Sequence, residues 1–419
     1  MRTSVNQVDN LPPCKVHVDS ETGRLRAVLL HRPGVEIERM TPLNAAEALY
    51  SDILYKDNVD FEYGLFQGVL ERWAPQVYYV EDILSETLRD PAIRSRMVRE
   101  SVPEGSPLAE LLLGLAPEEL VKVLIEGYED PSWDGLSERR YLLNPLYNLF
   151  FTRDASSTVY DRVLLNSMRF EARKRETTVF ETVFHDYFGV ETLNAMSWDP
   201  EARTEGGDVQ IAAPDVLLLG NGSRTNARGI AYLTQQFAKE RGRFHFIVQD
   251  LPFSPESFIH LDMVFTFLGR HECMAFEPML KKQGLFAGKS TTLVGIDNGK
   301  VSYTPIGNIV EGLRRLGWDI EPLMCGGSDP WIQLREQWHS GANFFALDDG
   351  RVMGYRRNKY TLEALDRAGF AVLDAEDIVS GKVDMNGYGK FVAVFPGFEL
   401  PRAGGGARCM TMPLLRDGF

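Results

Sequence analysis

Residues 209–248 read VQIAAPDVLLLGNGSRTNARGIAYLTQQFAKERGRFHFIV, and this stretch decides the fold class. Two short apolar runs meet at Pro214-Asp215, the polar loop NGSRTNARG follows, and a helical run ending at Gly242 leads into the apolar segment FHFIV. The turn residues predict a hairpin, and a glycine after a helical run suits a left-handed C-cap. The expected unit is strand, strand, helix, strand.

The unit recurs on both sides. Residues 158–193 give two apolar segments around a turn at Asp161, then a helix and a strand, and residues 343–373 give FFAL, the turn DDG, RVMGYRR, the helix TLEALDRAG and FAVL. Each unit alone cannot bury its apolar face, so repetition predicts pseudo-symmetric α/β construction. RAVLLHRP with QVYYV, and the stretch from TTLVGI to DIEPL, are candidates for two further units. Residues 81–140 break the pattern: LAELLLGL and APEELVKVLIEGY have helical spacing, and Pro117 suits a first helical turn. We expect a helical insertion there, within one catalytic body spanning residues 1–419.

The chain has 419 residues, 44% of them hydrophobic, which is enough for a substantial core. Its formal charge of -14 disfavours nucleic acid or an anionic membrane as main partner and leaves room for a small cationic substrate. Cys14, Cys273, Cys325 and Cys409 are scattered, without CxxC or a neighbouring histidine at ligand spacing, so separate thiols and no metal are expected. The opening MRTSVNQVDNLPPCKV has no apolar core of signal-peptide length and no later stretch approaches a membrane span, which points to a cytoplasmic protein.

Polar groups concentrate in four segments: Asn148-Leu-Phe-Phe-Thr-Arg153-Asp154, Glu205-Gly-Gly-Asp208, His260-Leu-Asp262, and the glycine-rich run from Gly404 to Cys409. His260 and Asp262 are two apart before MVFTF, so on an extended strand they would share a face. Asp154, after the apolar LFF run, is expected at a strand exit. Asp154 and Asp262 on either side of a guanidinium would match its planar donors. Glu205 can orient His260 as a general acid and base. Cys409 is the candidate nucleophile, although a free cysteine taken alone reads equally as an inert core residue.

Together, GRLRAVLLHRPG with TPLN behind it, NLFFTRD, ARKRET, EGGD, SRT, HLDMVFT, LREQW and CMTMPLLRD resemble the arginine deiminase family of guanidine-modifying enzymes over nearly the whole chain. The resemblance implies a five-bladed pseudo-symmetric α/β propeller with a helical insertion after the first blade. It implies catalytic Cys409, His260, Glu205, Asp154 and Asp262, with Asn148 and Phe151 lining the substrate pocket. Arg224, and Arg173 or Arg175, match arginines that receive the substrate carboxylate. A further such arginine falls on Gly404, leaving Arg402 or Arg408 as substitutes.

The implied reaction is cofactor-free deimination of free L-arginine to L-citrulline and ammonia, through a covalent thiouronium intermediate. A homo-oligomer is also suggested by the resemblance. The alternatives are a deiminase or amidinotransferase acting on a related guanidino compound, and a non-catalytic propeller that serves as an interaction protein.

Overall fold

In the quoted stretch, Val209–Ala213 and Val216–Asn221 pair antiparallel around Pro214-Asp215, the helix Ala227–Glu240 follows, and Arg243–Asp250 returns parallel to Val216–Asn221. Asn226 starts the helix, its side chain accepting from Gly229 N at 3.0 Å. Tyr232, Leu233 and Phe237 on the helix pack against Phe244 and Phe246 of the returning strand. This computed structural model describes residues 12–418 except 43, 46, 47 and 136–139. Leu43 of TPLN, residues 136–139 of the expected insertion, and residues 1–11 of the opening stretch lie outside the described residues.

The same unit recurs with variations. Ser156–Val159 and Arg162–Leu165 form a hairpin, and Thr192–Asn194 joins it in parallel after the helix Glu171–Glu181. Phe345–Asp348 and Arg351–Tyr355 form another, turning at Gly350 with φ 69°. Here Ala371–Asp374, the FAVL strand, does not pair with its own hairpin; Phe391–Phe395 lies between them, parallel to both. Leu25–Leu30 and Gln76–Tyr79 are parallel across the helix Lys56–Trp73, and the chain's last strand, Met412–Arg416, pairs antiparallel with Leu25–Leu30. TTLVGI founds no unit of its own: Thr291–Asp297 and Lys300–Ile306 extend the sheet of the quoted stretch. Glu321–Met324 instead pairs with Glu272–Ala275.

These pairings correct the expected five-bladed propeller. The described strands form six sheets, of three, five, three, four, two and three strands, each running from one edge strand to another, with none closed or curled. The resemblance implied closure, but the added hairpin at 291–306 and the inserted strand Phe391–Phe395 make the units unequal. The architecture is α/β, with mixed sheets and scattered helices.

Between residues 80 and 126 lie the helices Val80–Thr87, Pro91–Ser101, Pro107–Leu113 and Pro117–Glu126, three of them opened by proline. Their apolar faces, including Ile83, Leu84, Val98, Leu112, Leu120 and Leu124, join a cluster with Val179, Phe180 and Phe184. A separate apolar cluster contains Phe66, Phe150, Phe151, Met263, Tyr355, Phe395 and Cys409. Among the described residues, no helix is long and apolar enough to cross a membrane.

Candidate active site

The four polar segments all sit just before strands. Asp154 is in the single turn Thr152–Ala155 ahead of Ser156–Val159, and Glu205 precedes the 3-10 turn Gly206–Asp208 ahead of Val209–Ala213. His260 precedes the 3-10 turn Leu261–Met263 ahead of Phe265–Phe267, and Cys409 lies ahead of Met412–Arg416. Two expectations change. Asp154 stands at a strand entry rather than an exit, because the LFF run is turn, not strand. His260 and Asp262 are not on one strand face, since the turn between them replaces the two-residue period of extended backbone.

Cys409 is 2% exposed. Its Sγ lies 3.8 and 4.0 Å from the carboxylate oxygens of Asp262 and accepts from Asn343 Nδ2 at 3.2 Å. Burial, then the charges of Asp262 and Asp154, push the thiol well above its ordinary value. Asp262 Oδ2 accepts from Arg408 Nη1 at 2.9 Å, while Arg408 grips Glu21 through Nε at 3.1 Å and Nη2 at 3.0 Å. Burial would raise the Glu21 carboxyl, yet Arg408 holds it down at about 2. Asp262 itself is raised, because burial outweighs Arg408.

Asp154 Oδ2 accepts from Arg173 Nη1 at 2.7 Å, whereas Asp154 Oδ1 is buried with no hydrogen-bond partner among the described residues. Behind it, Arg173 is held by Glu176 through Nε and Nη2. Arg153 Nε and Nη2 are buried without partners among the described residues. Its backbone N–H donates to Cys409 O at 3.1 Å, tying two of the polar segments together.

His260 places Nε2 2.9 Å from Glu205 Oε2 and Nδ1 3.9 Å from Asp154 Oδ1. Burial would depress the imidazolium, but Asp154 and Glu205 overcome it and raise it to about 9, so Nε2–H donates to Glu205 at neutral pH. Burial likewise opposes ionisation of Glu205, and Arg224 with His260 bring it down to about 2. The glycines of EGGD make this approach possible. A Cβ on Gly207 would collide with the His260 ring, and one on Gly206 would collide with the carbonyl of Arg153.

One cavity is lined by Cys409, His260, Asp154, Asn148, Phe151, Arg173 and Arg224. Asp262 and Glu205 stand behind Cys409 and His260 respectively. Arg224 donates to Glu205 Oε2 at 3.3 Å and lies over Phe170 at 4.6 Å, and Asn148 Nδ2 donates to Ala48 O at 2.7 Å. Arg175 and Arg402 are not brought into the lining. Arg175 donates to the carbonyls of Leu124 and Asn144, and Arg402 pairs at the surface with Asp52 at 3.2 Å. Gly404, with φ 93°, and Gly405, whose α-carbon faces the Phe151 ring, line the same cavity as Cys409.

Sequence reasoning missed several members of the site. Glu256 and Trp338 line the cavity, and Glu256 is exposed at its rim and forms no ion pair among the described residues. Gln337 Nε2 donates to Ser257 O at 2.5 Å and Met263 O at 3.2 Å, holding the segment that carries His260 and Asp262. Glu62 accepts the backbone N–H groups of Phe398, Glu399 and Leu400, anchoring the run into Gly404. LREQW was visible as a motif, but nothing in its spacing disclosed these partners. Glu21 and Asn343 carried no signal.

Comparison with known proteins agrees with this chemistry. A family model described as "Arginine deiminase" matches residues 131–416. The arginine deiminase of Bacillus cytotoxicus is 30% identical over 427 residues, covering 96% of this chain and 98% of that protein. The arginine deiminase of Limosilactobacillus reuteri is 29% identical over 425 residues with the same coverage. Among solved structures, an amidinotransferase of saxitoxin biosynthesis from Microseira wollei matches in fold with a TM-score of 0.54 at 15% identity, covering 97% of this chain and 98% of that one.

Proposed function

The chain belongs to the arginine deiminase family and is a guanidino-group-modifying enzyme; from that premise we propose that it hydrolyses free L-arginine to L-citrulline and ammonia, with Cys409 as nucleophile. The observation that carries the reading is Asp154 Oδ1, a buried acceptor without a donor among the described residues, in a cavity shared with a thiol and an imidazolium. A guanidinium N–H is the donor it lacks. Arg224 and Glu256 on the same lining have the signs needed for the carboxylate and ammonium of an α-amino acid.

Asp154 and Asp262 raise the thiol while the cavity is empty; a bound guanidinium offsets their charge and favours the thiolate. Sulphur then attacks the guanidinium carbon, and the tetrahedral adduct expels ammonia as His260 gives that nitrogen its proton. The amidino carbon remains on sulphur. Neutral His260 next takes a proton from water, whose oxygen attacks the same carbon; the added hydroxyl then gives its remaining proton to solvent as the carbon–sulphur bond breaks, releasing the ureido product and the thiolate. Glu205 keeps the imidazole oriented through both steps. The four free cysteines favour a reducing, cytoplasmic setting for this thiol chemistry.

Incubation with arginine, agmatine and guanidinoacetate, followed by mass spectrometry and ammonia measurement, tests the assignment. Deimination gives a product about one mass unit heavier and about one ammonia per turnover. Preference for agmatine over arginine, or transfer of the amidino group to an added amine without ureido product, would overturn it.

A further inference from the structure

Asn343 belongs to the HSGANFF segment and is 1% exposed. Its amide touches three parts of the site at once. Oδ1 accepts from the backbone N–H of Arg408 at 2.9 Å, and Nδ2 donates to the carbonyl of Asp262 at 3.2 Å and to Cys409 Sγ at 3.2 Å. Two of these partners dictate the orientation of the amide. The Arg408 N–H needs an oxygen opposite it, and the Asp262 carbonyl needs an N–H, so a flipped amide would set donor against donor and acceptor against acceptor.

With both ends held, the second N–H of the amide faces two sulphurs, Cys409 Sγ at 3.2 Å and Met263 Sδ at 3.8 Å, and the nearer, Cys409 Sγ, serves as its main acceptor. A thiol accepts weakly and a thiolate strongly, so the contact favours the ionised form. The other charges around Sγ are divided. Asp262 and Asp154 oppose ionisation, Arg408 favours it from behind Asp262, and the His260 imidazolium shares the cavity. The Tyr355 hydroxyl is committed to Gly405 O at 2.9 Å and offers sulphur nothing.

We propose that Asn343 is a positioning residue for the nucleophile, a fixed hydrogen-bond donor that holds Cys409 Sγ and stabilises its thiolate. The inference rests on Cys409 being the nucleophile of the reaction proposed above. Asn343 also couples the nucleophile to its carboxylate neighbour, because one amide spans Arg408, Cys409 and Asp262.

The test is iodoacetamide alkylation of the full-length protein across about pH 6 to 10, without substrate, with Cys409 modification read by peptide mass spectrometry and Cys409→Ala as the control. Because the empty cavity holds the Cys409 thiol above its ordinary range, the readout is the rate on the acid side of its titration: in Asn343→Ala modification should be roughly tenfold slower than in wild type at each pH, as for an upward shift of about one pH unit. Asn343→Ser, which keeps a short donor, should fall between and serves if the alanine variant does not fold; kcat on arginine should drop more than KM rises. A profile that superimposes on wild type in a folded variant, or a Cys409 that never alkylates in wild type, overturns the proposal. If the shift appears but no guanidino compound is turned over, the role of Asn343 stands and the assigned reaction fails.

Discussion

At the scale of single residues, the proposed reaction sets a protonated His260 beside an unionised Cys409 thiol. Cys409→Ala should abolish turnover while thermal unfolding stays close to wild type; near-normal activity would remove the sulphur from the mechanism. His260 must be protonated to expel ammonia, and its raised value of about 9 keeps that activity available below about pH 9 and removes it above. Glu205→Gln deletes one of the charges that raise it, so the alkaline limb of the kcat profile should move down, toward the ordinary imidazole value of about 6.5. An unmoved limb would assign that titration to another group. At the rim, Glu256→Gln should raise KM for arginine several-fold and leave guanidines without an ammonium unaffected, as steady-state kinetics on both would show. Asn343, Glu256 and Glu21 were not legible in the sequence, because an amide or a lone carboxylate in a loop has the same appearance whether it faces solvent or sulphur.

At the scale of elements, the catalytic groups sit on short turns that open strands, where the backbone leaves one regular geometry before entering the next. Such turns place side chains by close backbone contact more than by strand period, which is why the face-sharing argument for His260 and Asp262 failed although both residues belong to the site. Gly207 is the clearest case: its α-carbon lies against the His260 ring. Gly207→Ala should therefore displace the imidazole and lower kcat by roughly a hundredfold with an unchanged circular dichroism spectrum, since small misplacements of a catalytic group cost on that order. The hairpins at Asp161, Pro214-Asp215 and Gly350, and the helices after them, were readable because turn residues and helical spacing act locally. The pairing of Phe391–Phe395 between the FAVL strand and its hairpin was not, because an inserted strand is chosen by long-range packing.

At the scale of the whole molecule, the two ends of the described chain meet beneath the site. Met412–Arg416 pairs with Leu25–Leu30, and Glu21 from the N-terminal segment holds Arg408, next to the nucleophile. Glu21→Ala leaves a buried guanidinium short of its partner and should destabilise the fold by about 3–5 kcal/mol in urea unfolding at pH 7. Glu21 and Glu205, both held at about 2 when folded, give stability that is complete above the ordinary carboxylate value of about 4.3 and is lost as pH falls toward 2. His260 works in the opposite sense, losing its contribution as pH rises from about 6.5 through about 9. Urea midpoints across pH should accordingly be highest between about pH 4.3 and 6.5 and fall on either side. The sequence by itself determined the α/β class, the recurring strand-strand-helix-strand unit, and residue types suited to guanidinium chemistry, all of which follow from local propensity and from motifs in order along the chain. Only the tertiary structure decided that the sheets stay open and unequal, that Arg175 and Arg402 turn away from the cavity, and that Asn343 touches the Cys409 sulphur while Arg408 holds Asp262 beside it. Those outcomes depend on which distant backbones come within hydrogen-bond reach, and spacing along a chain carries no record of that.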